Sequence, residues 1–192
     1  MTEREVLLTG IGGQGVQLAA QVLARAAVVD GRQVMLFGVY SGMMRGGNSD
    51  STLVVADGDI QAPPLISHAS SAIVMHHKFW GSLISKLRPG AVIVVNSSLF
   101  EGAVDREAHR VFDVPVTDIA SELGNSMAAS MVMVGAYAAI TGLVTLDAAL
   151  EGMRDSIPPY RRQHVEGNER AIRTGWDSVE RLAAPAWEEV PA

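Results

Sequence analysis

The 192 residues are 48% apolar and carry 15 basic against 21 acidic side chains, a net charge of -6 with no long run of either sign. That length suits one well-buried domain, and the charge balance lacks the basic footprint that nucleic-acid binding requires. The sequence contains no cysteine, which excludes a disulfide scaffold, a thiolate nucleophile and ordinary iron–sulfur ligation by these residues.

The chain opens with Val6-Leu7-Leu8-Thr9 running into Gly10-Ile11-Gly12-Gly13-Gln14-Gly15-Val16. An apolar strand thus meets a glycine loop and then a helix, with Gly10, Gly12 and Gly15 on the G-x-G-x-x-G spacing. Glycine allows the tight turn and close backbone approach, and the free N–H groups at the helix start form an anion cradle, a phosphate-type or partner-type site. A helix is expected over Gln14 to Asp30, with Val16, Ala19, Ala20, Leu23 and Ala27 on its apolar stripe and Gly31 as its stop. A second strand, Gln33 to Gly38, completes a β-α-β unit, which in a parallel sheet crosses over right-handedly.

A nicotinamide dinucleotide fold would place an acid about 20 residues beyond the glycines, at the end of the second strand, to bind ribose hydroxyls. Phe37 and Gly38 stand there instead, and Asp30 precedes the strand at the other end of the sheet. A free-standing Rossmann-like nucleotide-binding protein or NAD(P)-dependent dehydrogenase is therefore the second reading.

Tyr40 to Ser49 is glycine-rich and reads as a formed loop with Arg45 as its one charge. Such a loop lets backbone approach a ligand or neighbouring subunit, and a guanidinium suits carboxylate or phosphate. Ser51 to Ala56 reads as a strand ended by Asp57-Gly58, and Pro63-Pro64 as extended chain. Ala72 to His76 is a buried strand on which His76 and His77 point to opposite faces, a poor metal pair. Lys78 to Leu87 reads as a helix, Arg88-Pro89-Gly90 as a turn, and Ala91 to Asn96 as a strand buried on both faces. A short strand covers Arg110 to Phe112.

From Pro115 the pattern is helical: Val116 to Leu123, Met127 to Thr141, Leu146 to Asp155, and a charged helix from Arg161 to Gly175 after Pro158-Pro159. The low-charge run Ser126 to Leu146 is rich in Ala, Gly, Ser and Met and fits a buried helix or subunit interface better than a membrane span. The charged start Met1 to Glu5 is unlike a secretory signal, so a cytoplasmic protein is expected. The whole reads as an α/β fold, a three-layer Rossmann-like sandwich with a mostly parallel sheet and a helical C-terminal part. One domain spans residues 1–184, and the tail 185–192 is expected to be loose or to lie along a partner. Gly10 to Gly15, Tyr40 to Ser49 and Asn96-Ser97-Ser98 would share the carboxyl rim of the sheet, where ligands bind in such folds.

Those residues resemble the gamma subunit of 2-oxoacid:ferredoxin oxidoreductases. The resemblance runs over about residues 5 to 176. It rests on Gly10 to Val16, on Arg45-Gly46-Gly47, on Lys86 to Gly90 before Val92 to Asn96, on Glu122 to Asn125, on Met131 to Ala136, and on Asn168-Glu169-Arg170-Ala171 followed by Gly175. Departures are Ser70-Ser71, where relatives often have an acid, and Met127 and Ser130, where they tend to have Arg and Asn.

The resemblance implies an accessory subunit without catalytic residues of its own, in a complex that oxidatively decarboxylates a 2-oxoacid and acylates coenzyme A. Thiamine diphosphate and iron–sulfur clusters would belong to the partner subunits, alpha, beta and a ferredoxin-like delta. Gly12, Gly13, Gln14, Gly15, Arg45, Gly46, Gly47, Asn48 and Asn96 are the candidate contacts to the coenzyme or a partner. No catalytic residue and no metal ligand is expected in this chain.

Overall fold

The computed structural model describes residues 2–40, 46–61, 66, 68–182 and 186–187. Its opening apolar run forms β1 (Glu3–Ile11), and the helix that follows, α1 (Val16–Val29), begins once Gly15 has turned the chain in a left-handed conformation. Further strands are β2 (Gln33–Tyr40), β3 (Asn48–Ala56), β4 (Ala69–Val74), β5 (Leu87–Asn96) and β6 (Arg110–Val114). They build one six-stranded sheet in the order β2-β3-β1-β4-β5-β6. β1, β4, β5 and β6 are mutually parallel, and β3 runs antiparallel to both β1 and β2.

The expected β-α-β neighbours are thus separated: β3 lies between β1 and β2. Burial explains the order. Leu53, Val54, Val55 and Ala56 of β3 are all fully buried, whereas Phe37 of β2 is 47% exposed. A continuously apolar strand gains most from an interior slot, and the more exposed one takes the edge.

One face of the sheet is covered by α1 and the C-terminal helices α2 (Val116–Glu122), α3 (Ala129–Thr141), α4 (Leu146–Ser156) and α5 (Val165–Asp177). Every residue of α3 from Ser130 to Thr141 is buried, so this helix is the centre of that layer. Its Tyr137 phenol meets the Ser71 hydroxyl at 2.7 Å, and burial holds the phenol pKa well above its ordinary value.

The opposite face carries a thinner third layer. The segment expected as a helix from Lys78 to Leu87 is instead two 3-10 turns, His77–Ser82 and Ile84–Lys86. Trp80 and Leu83 are both buried against β4 and β5, and 3-10 geometry brings residues three apart onto one side while Gly81 weakens the α alternative. His76 and His77 also lie beyond the end of β4, with rings 4.4 Å apart rather than on opposite faces.

Arg88-Pro89-Gly90 is not a free turn but part of β5, where the register jumps from Ala69↔Leu87 to Ser71↔Val92. Gly90, at φ 75°, closes that irregularity by donating to the Ala108 carbonyl at 2.8 Å. The charged helix also starts later than Arg161: Pro159–His164 form a 3-10 turn before α5.

Of the tail 185–192 only Ala186 and Trp187 lie among the described residues, and both are hydrogen-bonded to the body of the domain. The Leu182 and Ala186 N–H groups donate to the Ile140 and Thr141 carbonyls at 3.0 and 2.7 Å, and Trp187 Nε1 donates to the Leu143 carbonyl at 2.9 Å. The Ile140 and Thr141 carbonyls lie at the C-terminal end of α3, where a helix has no internal donors left, and Leu143 follows just beyond it. The Arg32 guanidinium sits 3.9 Å from the Trp187 ring. Among the described residues, no helix is long and apolar enough to cross a membrane.

Candidate functional site

The carboxyl end of β1 and the start of β3 are stitched together through backbone. Gly12 N–H donates to the Gly47 carbonyl at 2.8 Å, and Gly46 N–H donates back to the Gly12 carbonyl at 3.3 Å. Gln14 then holds the turn: its Oε1 accepts from Ile11 N–H at 2.9 Å and its Nε2 donates to the Met75 carbonyl at 3.3 Å. Asn96 reaches the same carbonyl from β5 at 3.2 Å and the Thr117 hydroxyl at 2.9 Å. Gln14 and Asn96 therefore converge on Met75, and both amide nitrogens brace the rim from inside. Asn96 is fully buried, so it positions the rim rather than facing out of it.

Asn48 is likewise engaged within the rim. Its Nδ2 donates to Asp50 Oδ2 at 2.7 Å, while the buried Thr9 hydroxyl donates to Asp50 Oδ1 at 2.7 Å. Asp50 escaped the reading of the sequence, although a lone acid among the serines opening an otherwise apolar strand was a usable signal. Gly10 has no room for a side chain: a Cβ there would lie 2.8 Å from Gln14 Oε1 and from Val16 Cγ2.

The outward face is backbone. Gly13 has φ 109°, is exposed, and would place a Cβ in open space; Gly15 has φ 77° and caps α1. No side chain caps this helix and no acid occupies its first turn, so its positive end is not neutralised locally. Gly46, with φ 89°, flanks the same opening. Arg45 lies outside the described residues.

Beside Gly13 and Gly15 opens a pocket of about 500 Å³, bounded by the first turn of α1, by Ser49 of β3, and by residues of the C-terminal helical layer. Asn125, Ser130, Arg161, His164 and Asn168 line it from that layer, and none of them was among the expected site residues. Arg161 is expected from the sequence only as the start of a charged helix. The signal that could have found Asn125 and Asn168 was the pair of motifs Glu122 to Asn125 and Asn168 to Ala171, more than forty residues apart in the chain, which the fold brings to one wall.

The residues present do not suit a metal cluster. The sequence offers no thiolate, and among the described residues no three His, Asp or Glu side chains converge on one point. An anionic ligand fits better, because among the described residues no carboxylate lines the opening between Gly13 and Asn168. The dinucleotide reading finds no support in the sheet order: β3 lies where the ribose-binding strand would stand. Asp30 is held at the far end of α1, where it accepts from Thr145 N–H and Thr145 Oγ1 at 2.7 and 2.8 Å.

Residues 5–178 match the family model described as pyruvate ferredoxin/flavodoxin oxidoreductase. The chain belongs to this family. Among its relatives, the 2-oxoglutarate synthase subunit KorC of Methanothermobacter thermautotrophicus is 32% identical over 163 residues, 81% of this chain and 86% of that protein. The pyruvate synthase subunit PorC of the same organism is 27% identical, covering 93% of this chain and 97% of the relative. The crystal structure of a keto/oxoacid ferredoxin oxidoreductase gamma subunit from Geobacter sulfurreducens superposes with a TM-score of 0.79 at 25% identity, covering 92% and 96% of the two chains. This is a gamma-type chain of the 2-oxoacid:ferredoxin oxidoreductases, and its fold is the one that such gamma subunits share.

Proposed function

We propose that this chain works as the coenzyme-side brace of a thiamine diphosphate-dependent, coenzyme A-acylating 2-oxoacid oxidoreductase. Its glycine rim is turned toward coenzyme A at the contact with the catalytic subunits. In that enzyme class the cofactors on the partner subunits supply decarboxylation and electron transfer. This chain supplies shape and fixed N–H dipoles. Gly12, Gly13, Gly15, Gly46 and Gly47 offer backbone, Arg45 offers a guanidinium, and Gln14, Asn48 and Asn96 hold the rim in place. Alpha and beta subunits, with a ferredoxin-like delta subunit, are the proposed partners, and the cytoplasm is the proposed compartment.

The observation that carries this reading is the open backbone at Gly13, next to an uncapped helix start with no acid in its first turn. Such a surface suits the phosphates of a coenzyme. The matched relatives are named for different 2-oxoacids, 2-oxoglutarate and pyruvate, which fits a subunit that serves the coenzyme rather than choosing the acid.

The test is the reconstituted complex carrying Arg45→Ala or Gly13→Val. Both are expected to raise the KM for coenzyme A or weaken assembly, with the KM for the 2-oxoacid unchanged. Parental assembly, turnover and coenzyme KM in both variants would overturn the assignment.

A further inference from the structure

The two edges of the sheet are finished differently. β6 closes one edge with five residues, of which Arg110 and Asp113 are exposed charges, and Asp113 is paired with Arg106 at 2.7 Å. A short, charged edge resists pairing with another strand. β2 ends the other side with eight residues, Gln33 to Tyr40, that include no charge and no proline and keep an unbroken antiparallel register with β3 along their whole length. Among the described residues no strand lies on its outer side, so every second residue of β2 turns an unpaired N–H and C=O outward.

Both faces beside that open edge are apolar. Val34 packs against the core under α1 and Gly38 lies against Gln17 of α1, so Leu36 between them stands on the α1 face and Phe37 on the other. Leu36 is 38% exposed and Phe37 47%. A two-fold axis perpendicular to the sheet near Leu36 would set two such edges antiparallel, pair identical uncharged strands, and keep both α1 helices on one face. The helix charges also agree with this axis. α1 leads through Gly31 into the start of β2 and so runs against it; four helix residues rise about 6 Å and two strand residues about 7 Å, which puts Gln21 level with Leu36 and Arg25 level with Val34. The two Arg25 side chains then fall on opposite sides of the axis, each level with Gln17 of the other copy. Head-to-tail growth is disfavoured, because it would place β2 of one copy on the guarded β6 edge of the next. The contact strip is about 27 Å long and about 20 Å deep across the sheet and one helix layer. That amounts to roughly 1,000 Å² over both copies, the lower bound for a specific interface and the size of a weak dimer.

We propose that the outer edge of β2 is a self-association surface, on which a second copy of this chain adds its own β2 antiparallel, so that the two six-stranded sheets run on as one. Backbone hydrogen bonds along the edge supply the register, and Leu36 and Phe37 supply the apolar contact on the two faces. The surface uses no residue of the glycine rim, so it is independent of the coenzyme reading above.

The experiment is sedimentation velocity of the full chain from about 1 to about 200 µM, with amide hydrogen exchange at both ends of that range. A monomer–dimer equilibrium is expected, with the β2 amides exchanging more slowly at the higher concentration. Leu36→Lys and Phe37→Lys each put a charge on the edge and should weaken the dimer at least about tenfold; both positions are exposed, so the fold is kept. Tyr160→Lys, at an exposed aromatic on the helical layer, should leave the dimer unchanged. The sequence has no cysteine, so a single Leu36→Cys should crosslink two copies across the axis on mild oxidation, whereas Gln33→Cys, about 20 Å from its counterpart, should not. A parent that stays monomeric throughout, a dimer that survives both lysine substitutions, β2 exchange independent of concentration, or crosslinking at Gln33→Cys as ready as at Leu36→Cys overturns the proposal. Protection of β2 that appears only in the reconstituted complex also overturns it, and assigns the edge to a strand of another subunit. Failure of the coenzyme reading is separate: it shows in the coenzyme KM of the Arg45→Ala complex and leaves the sedimentation of the chain unchanged.

Discussion

Gly135 of α3 and Gly175 of α5 lie face to face against each other's helix backbone. A Cβ on Gly135 would collide with the Ile172 carbonyl, and one on Gly175 with the Val132 carbonyl. Backbone cannot swing aside as a side-chain tip can, so here the gain of about 1 kcal/mol in helix propensity from Gly to Ala is outweighed by overpacking, typically about 1–3 kcal/mol or more. Gly135→Ala and Gly175→Ala should each lower the denaturant midpoint. Gly167→Ala in the same helix, where the nearest atom is Asn125 Nδ2 at an ordinary 3.5 Å, should leave it level or raised. Urea unfolding of the three variants checks this, and a stable Gly135→Ala protein would show that the helices are not in contact as described.

At the rim two of the positive-φ glycines, Gly13 and Gly15, should behave differently. Gly13→Ala meets only the left-handed backbone penalty, about 1–2 kcal/mol, because the space around it is open. Gly15→Ala adds a collision with Ser130 Oγ, so it should be the more destabilising of the two. Combining Gly15→Ala with Ser130→Ala should recover part of the loss, with a coupling of about 0.5–1 kcal/mol. Thermal or chemical unfolding of the double-mutant cycle measures that coupling; strict additivity would mean that the two residues do not touch.

Trp187 should contribute to stability although it follows the last helix. Its indole donates to the Leu143 carbonyl at 2.9 Å and stacks beneath the Arg32 guanidinium at 3.9 Å. Trp187→Ala is expected to cost about 1–3 kcal/mol, and Arg32→Ala about 0.5–1 kcal/mol through the lost cation–π contact. Guanidinium unfolding of the two variants decides whether the tail is fastened to the body.

His76 gives the fold a pH dependence of definite sign. Burial, then the neighbouring charges of His77 and Lys78, lowers its pKa below the ordinary 6.5, and its Nδ1 accepts from Lys78 N–H at 3.2 Å. Between the lowered folded value and 6.5 the unfolded chain binds more protons than the folded one. Stability therefore rises with pH through that window and is lost as pH falls through it. His76→Asn keeps an acceptor at the cap and removes the titration, so its melting temperature between pH 5 and 7 should fall less steeply than the parent's. Parallel curves would assign the acid sensitivity to other groups.

The sequence by itself determined every strand, the glycine loop with its helix, and the buried character of α3, because each rests on local periodicity or on the special φ of a glycine. Gly13 and Gly15 illustrate this: their conformational need is written at their own positions. It also carried the family, through motifs whose order along the chain does not depend on how they pack.

Tertiary structure alone decided which neighbours those elements received. Strand order followed from competition for burial, which placed β3 between β1 and β2. The 3-10 turns at Trp80 and Leu83 followed from the surface they had to cover, and the anchoring of Trp187 from the open carbonyls at the end of α3. The pocket wall shows the limit most plainly. Ser49, Ser130 and Asn168 look ordinary where each stands in the chain; only the fold, through contacts across more than a hundred residues, brings them to one cavity beside the start of α1.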